Sequence, residues 1–320
     1  MAWMTYSEAI WSAIHEEMRA DPRILIMGQD VEVDADAAKR EFGAARVRDT
    51  PISESGFIGA GIGAALTGMR PIVVLGCSTF LYSAMDQVVN QAAKSRYMFG
   101  GQASVPLVIR APVLYNISLA AHHSDRPWGL FAQAPGLKII TPACPYDAKG
   151  LMKAAIRDNN PVICFEDALL GDQRGEVPEE AYTVPIGSAD IKRAGTDITI
   201  VGLAGAVPVC LAAAELVASE GISAEVVDLR TVVPLDRRTI LSSVAKTGRL
   251  VVVDPAPGTC SVASEVAASV AQHAFKYLKA PVARLTAPDV PVPFSVKLEC
   301  LMYPTAASVA DIVRSQCNYK

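Results

Sequence analysis

Short apolar runs that alternate, from one end of the chain to the other, with longer amphipathic or small-residue stretches constrain this sequence more than any single motif does. Ile24 to Met27, Pro71 to Leu75, Pro106 to Ile109, Leu137 to Ile140 and Val162 to Phe165 read as buried strands, and Tyr6 to Arg19, Gly56 to Met69, Ser83 to Tyr97 and Tyr146 to Asp158 carry helical spacing. Such alternation predicts a mainly parallel sheet covered by helices on both faces. The pattern pauses between Gly171 and Ala194, where Gly175, Pro178, Pro185 and Gly187 sit among several acids. It resumes with strands Asp197 to Val201, Ala224 to Leu229, Leu250 to Val253 and Val282 to Leu285, separated by helices Val207 to Ser219, Asp236 to Lys246 and Ser261 to Tyr277. The expected architecture is therefore α/β with two domains, residues 1–186 with a linker from about 171, and residues 187–320. A length of 320 residues suits that division at about 150 residues per domain.

Charge narrows the function classes. With 29 basic against 33 acidic residues and 51% hydrophobic content, the chain is neither disordered nor a carrier of the broad basic face that nucleic acid requires. Ile198 to Ala214 is uncharged, but Gly202, Gly205 and Pro208 break it into strand, turn and helix, and it is shorter than the roughly twenty residues of a membrane span. No membrane association is expected. Seven cysteines, an odd number without a Cys-x-x-Cys pair, fit a reducing compartment. Glu8, Glu16 and Glu17 argue against a secretory or transit peptide at the start, so the expected location is the cytosol, or the mitochondrial matrix after processing.

Two clusters could carry chemistry. Asp49-Thr50-Pro51-Ile52-Ser53-Glu54 opens a stretch in which Gly56, Gly59, Ala60, Gly61, Gly63 and Ala64 leave a helix with little side-chain bulk. Tight packing explains such a stripe, and the positive end of the helix dipole explains a carboxylate at position 54, so a catalytic role needs more than this segment. The second cluster is His122-His123-Ser124-Asp125, on a loop between the strand ending near Arg110 and a short helix around Trp128 to Gln133. Adjacent histidines are poor joint zinc ligands, whereas a loop histidine after a parallel strand sits where α/β sheets place reacting groups. Gly-x-Ser-x-Gly elbows and Walker phosphate loops are absent. Gly202-Leu203-Ala204-Gly205 followed by Asp228 misses the dinucleotide-binding frame. The carbonyls of Arg157 to Pro161 could hold a cation or cap a helix.

Taken together, the segments Asp49 to Glu54, Ala84 to Lys94, Pro106 to Arg110, Pro135 to Lys138, Asp147 to Gly150, Ala155 to Pro161 and Asp228 to Asp236 resemble, in family order, the beta subunit of the thiamine-diphosphate-dependent component of 2-oxoacid dehydrogenases, the pyruvate and branched-chain family. The resemblance implies a transketolase-like pyrimidine-binding domain followed by a transketolase C-terminal-like domain. It implies that Glu54 bonds the cofactor's aminopyrimidine ring, that Phe80 lies against that ring, and that His123 is an active-site histidine. His122, His123, Asp125 and Trp128 then belong to a substrate loop. Leu107, Ala155, Asp158 and Asn160 match positions that coordinate potassium, largely through backbone carbonyls. The Gly-Asp-Gly motif that holds the diphosphate and Mg2+ in this superfamily is missing, Gly171-Asp172-Gln173 being the nearest approach. An alpha subunit is therefore implied to supply that half of the site, in an α2β2 heterotetramer.

The implied reaction is decarboxylation of a 2-oxoacid with transfer of the acyl group to a lipoyl acceptor, on a lipoyl acyltransferase component. The alternatives are a two-chain carboligase or transketolase-like enzyme forming an acyloin or ketol, and a non-catalytic assembly subunit. Two segments depart from the family: the chain is short between Val31 and Phe42, and Pro112 to Ala121 is not glycine-rich.

Overall fold

The computed structural model describes residues 1–29 and 35–319, so residues 31–34 of the short segment lie outside the described residues. The chain divides into two compact units, residues 1–115 with 122–186, and residues 116–121 with 187–320.

The first unit runs β1 (Ala2–Thr5), α1 (Tyr6–Ala20), β2 (Ile24–Gly28), α2 (Asp36–Phe42), β3 (Val47–Asp49), α3 (Glu54–Leu66), β4 (Arg70–Val74), α4 (Ala93–Met98), β5 (Val108–Val113), α5 (Trp128–Ala132), β6 (Lys138–Ile140), α6 (Pro145–Arg157), β7 (Val162–Asp167) and β8 (Arg174–Val177). Strands β6, β7, β5, β4, β2 and β3 lie side by side in that order, all parallel. Every residue of β2 and β7 is buried, which is the signature of strands covered on both faces. The single helix expected over Ser83 to Tyr97 is instead a 3-10 turn (Ser78–Ala84), a π-helical stretch (Asp86–Ala92) and α4. The expected linker is also more ordered than its composition suggests, because β8 pairs antiparallel with β1.

Helix α1 shows how the sequence sets these elements. Thr5 and Glu8 form a reciprocal capping box, with Thr5 Oγ1 accepting from the Glu8 N–H at 3.1 Å and Glu8 Oε2 from the Thr5 N–H at 2.7 Å. Tyr6, Ala9, Ile10, Ala13, Ile14, Glu17 and Met18 then form a buried stripe at helical spacing, packed against α6. Two lysines of α6, each 2% exposed, enter that contact: Lys149 Nζ and Lys153 Nζ both reach Glu16, at 2.7 Å. Arg157 closes the network on Glu17 with two hydrogen bonds of 2.7 and 2.8 Å.

The second unit contains β9 (Asp190–Arg193), β10 (Ile198–Gly202), α7 (Ala206–Ala218), β11 (Ala224–Asp228), β12 (Thr231–Val233), α8 (Arg237–Thr247), β13 (Leu250–Pro257), α9 (Val262–His273), β14 (Ala283–Ala287), α10 (Val296–Glu299) and α11 (Ala306–Cys317). Its five-stranded sheet has the order β14-β13-β10-β11-β9, parallel except for β9. The core joins Ile198, Ile200, Val226, Val251 and Val253 to Cys210, Ala213 and Val217 of α7 and to Val309, Ala310 and Val313 of α11. Asp228 is buried, accepts the Arg230 N–H at 2.9 Å and lies 3.8 Å from Lys192 Nζ, a structural set of contacts. Gly202 allows close helix packing, since a Cβ there would meet Cys210 Sγ at 3.0 Å. Among the described residues no helix is long and apolar enough to cross a membrane.

The atypical segment Pro112 to Ala121 has an uncommon backbone. Asn116, Ser118 and Ala120, alternate residues without the freedom of glycine, have φ of 58°, 60° and 60°. Glu299, 1% exposed at the end of α10, turns its carboxylate to this turn and accepts the N–H groups of Asn116 and Ser118 at 2.5 and 2.8 Å. Successive backbone N–H groups in such a turn form an anion-binding concavity, and here a side chain of the same unit fills it.

Burial raises the Glu16 carboxyl, but hydrogen bonds from Lys149 and Lys153 outweigh it and hold the group below its ordinary value of 4.5. Because the folded value is depressed, the stabilisation is complete above the unfolded carboxylate range and disappears as pH falls through the folded value. Glu16→Ala, which leaves two buried ammonium groups without their shared partner, is expected to cost about 3 kcal/mol at pH 7 by urea denaturation. The difference from wild type should shrink on acidification below pH 4.5; a pH-independent difference would contradict the assignment.

Candidate active site

In a parallel sheet the loops that follow the strands gather at one edge, outside the carboxyl ends, where α/β proteins place reacting groups. Three of the singled-out side chains reach that edge here. Glu54 follows β3, Phe80 follows β4 and His123 follows β5, and these strands are linked by parallel pairings through β2.

Glu54 is the first residue of α3 and is half-buried. The positive end of the helix dipole suits a carboxyl side chain at this position. The glycine stripe behind it has two different explanations. At Gly61 a Cβ would lie 2.7 Å from Val73 Cγ2 and 3.4 Å from Leu107 Cδ1, so glycine there lets α3 lie directly on the sheet. At Gly63, in contrast, a Cβ would meet nothing within 4 Å. Ser55, Gly56, Ala60 and Gly63 form an exposed face without bulk.

Ser83 ties the carboxylate to the next residue of the set. Its Oγ donates to the Phe80 carbonyl at 2.8 Å and lies 3.5 Å from Glu54 Oε2. The second distance is long for a hydrogen bond, so Glu54 retains acceptor capacity for a ligand. The Phe80 ring, half-buried, meets the His123 ring edge-on, with centroids 5.6 Å apart and planes at 72°. A carboxylate, an aromatic face and an imidazole thus line one edge, a donor set that suits a flat, nitrogen-bearing ring.

The remaining substrate-loop residues separate. His122 is exposed. Asp125 Oδ2 accepts from Tyr82 Oη at 3.1 Å; burial first, and this carboxylate second, push the Tyr82 phenol well above its usual range, so it remains a donor. Trp128, expected on the loop, is instead fully buried at the first turn of α5, where its ring meets Phe165 edge-on at 6.0 Å. An apolar core under α5 outcompetes exposure for so large a ring. Ser83 and Tyr82 were not singled out in the sequence; their only signal is their position in the turn that also carries Phe80.

The expected potassium residues gather around the end of α6. The carbonyls of Leu107, Ala155 and Asp158 accept from Val162 N–H at 2.9 Å, Asp158 N–H at 3.2 Å and Arg70 Nη2 at 2.6 Å. Each carbonyl oxygen has a second lone pair. The Asp158 side chain is paired with Lys138 and accepts from Asn160, bonds that hold it below its usual value against the opposing effect of burial. Among the described residues no three His, Cys, Asp or Glu side chains cluster to hold a metal ion.

Two family descriptions match the chain: Transketolase, pyrimidine binding domain, over residues 2–171, and Transketolase, C-terminal domain, over residues 187–309. The acetoin:2,6-dichlorophenolindophenol oxidoreductase subunit beta of Cupriavidus necator is 48% identical, covering 96% of this chain and 95% of its own. The pyruvate dehydrogenase E1 component subunit beta of Bacillus subtilis is 43% identical over the whole of both chains. The chain belongs to the family of E1 beta subunits of 2-oxoacid dehydrogenases. A solved structure titled as a split-gene transketolase, inactive beta4 tetramer, covers 99% of both chains with a TM-score of 0.83 at 22% identity, which shows the shared fold. The two matched ranges of this E1 beta chain fall in the two α/β units described above.

Placement of Trp128 in the core makes a direct prediction. Trp128→Ala should lose about 3–5 kcal/mol of stability. Urea denaturation checks it, and a loss under about 1 kcal/mol, as at a surface position, would contradict the packing.

Proposed function

We propose that this E1 beta chain works with an alpha-type partner in an α2β2 assembly, binds thiamine diphosphate through Glu54 and Phe80, and decarboxylates a 2-oxoacid whose acyl unit passes to a lipoyl group on an acyltransferase component. The convergence of Glu54, Phe80 and His123 on one sheet edge is the observation that carries this reading. When bound, thiamine diphosphate supplies a carbon nucleophile for the 2-oxo carbon and an electron sink for the pair left when carbon dioxide departs. Glu54 would hold a proton on its carboxyl and share it with a ring nitrogen, a task for which its unfilled acceptor capacity suits it. Phe80 would present a flat surface to that ring and keep water from it. His123, edge-on to Phe80, would orient the substrate and exchange a proton with it. The exposed small-residue face of α3 supports close approach of a partner backbone beside Glu54.

Mg2+ and the diphosphate are assigned to the partner, because the chain lacks the Gly-Asp-Gly motif. Potassium is proposed at Leu107, Ala155, Asp158 and Asn160, since carbonyl oxygens are the donors such an ion takes. All seven cysteines are free, which supports a reducing compartment such as the cytosol. A second reading, oxidation of acetoin with a dye such as 2,6-dichlorophenolindophenol as acceptor, is favoured by the names of the relatives at 48% and 45% identity.

The test is reconstitution with an alpha subunit and assay of pyruvate, branched 2-oxoacids and acetoin against a dye acceptor. Glu54→Gln should assemble normally and lose on the order of 10^2–10^4 in rate; a wild-type rate would remove Glu54 from the mechanism. Potassium is expected to raise the Tm relative to a tetramethylammonium salt of equal ionic strength, with about 2.7 kcal/mol of stabilisation at a hundredfold excess over Kd. Identical melting curves in the two salts would discard the site.

A further inference from the structure

A loop without regular structure must find hydrogen-bond partners for its backbone elsewhere, and the loop that carries His123 finds them in side chains. Beyond β4, after Leu75 and Gly76, come Cys77, Ser78 and Thr79, all buried. Each reaches a different carbonyl of the loop: Cys77 Sγ donates to that of His123 at 3.0 Å, Ser78 Oγ to that of Asp125 at 2.9 Å, and Thr79 Oγ1 to that of His122 at 2.6 Å. The fourth carbonyl, of Ser124, accepts from Arg126 Nη1 at 2.8 Å. Four consecutive carbonyls are thus each held by a side chain. The Arg126 guanidinium lies 5.0 Å over the Tyr115 ring, and Tyr115 Oη donates to Asp167, at the end of β7, at 2.8 Å. The loop is anchored to the turn after β4 by one set of bonds and to the ends of β5 and β7 by the other. Phe80, the ring against which His123 rests, follows Thr79 directly.

We propose that Ser78 and Thr79 are positioning residues for the reaction: by gripping the carbonyls on either side of His123 they set its ring against Phe80 and toward the substrate. This rests on the reading of His123 given above. Neither hydroxyl touches the reacting atoms, so each acts through the imidazole. A misplacement of about 1 Å at a reacting group costs up to 10^2 in rate, which bounds the effect.

The experiment uses the enzyme reconstituted with its alpha subunit, in five forms: wild type, His123→Gln, Thr79→Val, Thr79→Ser and the Thr79→Val/His123→Gln double variant. Thr79→Val keeps the volume and removes the donor; it should lower kcat about tenfold or more with little change in KM. It should also shift the limb of the pH profile that His123→Gln abolishes. Thr79→Ser restores the donor and should recover most of the rate, and the double variant should be no slower than His123→Gln alone. Ser78→Ala, a smaller deletion, should reproduce the pattern if Thr79→Val folds poorly. Multiplicative losses in the double variant with an unmoved pH limb would reduce the grip to ordinary stability and overturn the proposal, leaving the role of His123 intact. A wild-type rate for His123→Gln would overturn that role, and the proposal with it.

Discussion

Burial of a parallel sheet on both faces is the constraint on which the rest depends. Strands such as β2 and β7, with no solvent-facing side, can present chemistry only where they end. Parallel pairing brings all the carboxyl ends to one edge. Glu54, Phe80 and His123, far apart in sequence, share one edge because β3, β4 and β5 run the same way. The site is a property of topology before it is a property of any one residue.

Charge in the interior serves this arrangement more than it stabilises it. Arg110 and Glu166 form a buried two-point pair, at 2.7 and 2.8 Å, on the neighbouring strands β5 and β7, with the guanidinium 4.6 Å over the Trp11 ring. Buried pairs of this kind gain little net free energy over apolar packing, because desolvation offsets the attraction. What they do is penalise mispairing strongly, since any arrangement that separates the partners leaves an uncompensated ion in the core. The lysines of α6 act in the same way on the seating of α1.

Much of this was legible in the sequence, for physical reasons that differ from element to element. The buried strands are legible as uninterrupted apolar runs, and α1 through its helical spacing. Edge strands did not: Ala2–Thr5, Arg174–Val177 and Asp190–Arg193 are short and mixed in polarity, and the last two lie in a segment whose prolines and glycines suggest only a linker. Helix Ala306–Cys317 lies beyond the last element expected from the apolar pattern, although Thr305 and Ser308 cap its start reciprocally. Glu54 and His123 stand out within polar clusters, but their roles, and Phe80 altogether, come from the resemblance and not from periodicity. Trp128 misled because a tryptophan beside a polar loop looks available, while its burial depends on Phe165, distant in sequence. The hydroxyls after β4 gave no warning, since Ser and Thr in a turn have many local uses.

The turn at residues 116–118 has a different dependence. Its alternate left-handed residues each cost of order 1 kcal/mol or more, and the carboxylate that offsets this strain comes from Glu299, 183 residues downstream of Asn116. A chain cut short before α10 would retain every candidate catalytic side chain and every strand, yet lose the counter-charge for that turn along with the core residues of α11. Shortened forms of this protein are therefore poor stand-ins for the whole, even where the deleted tail looks dispensable.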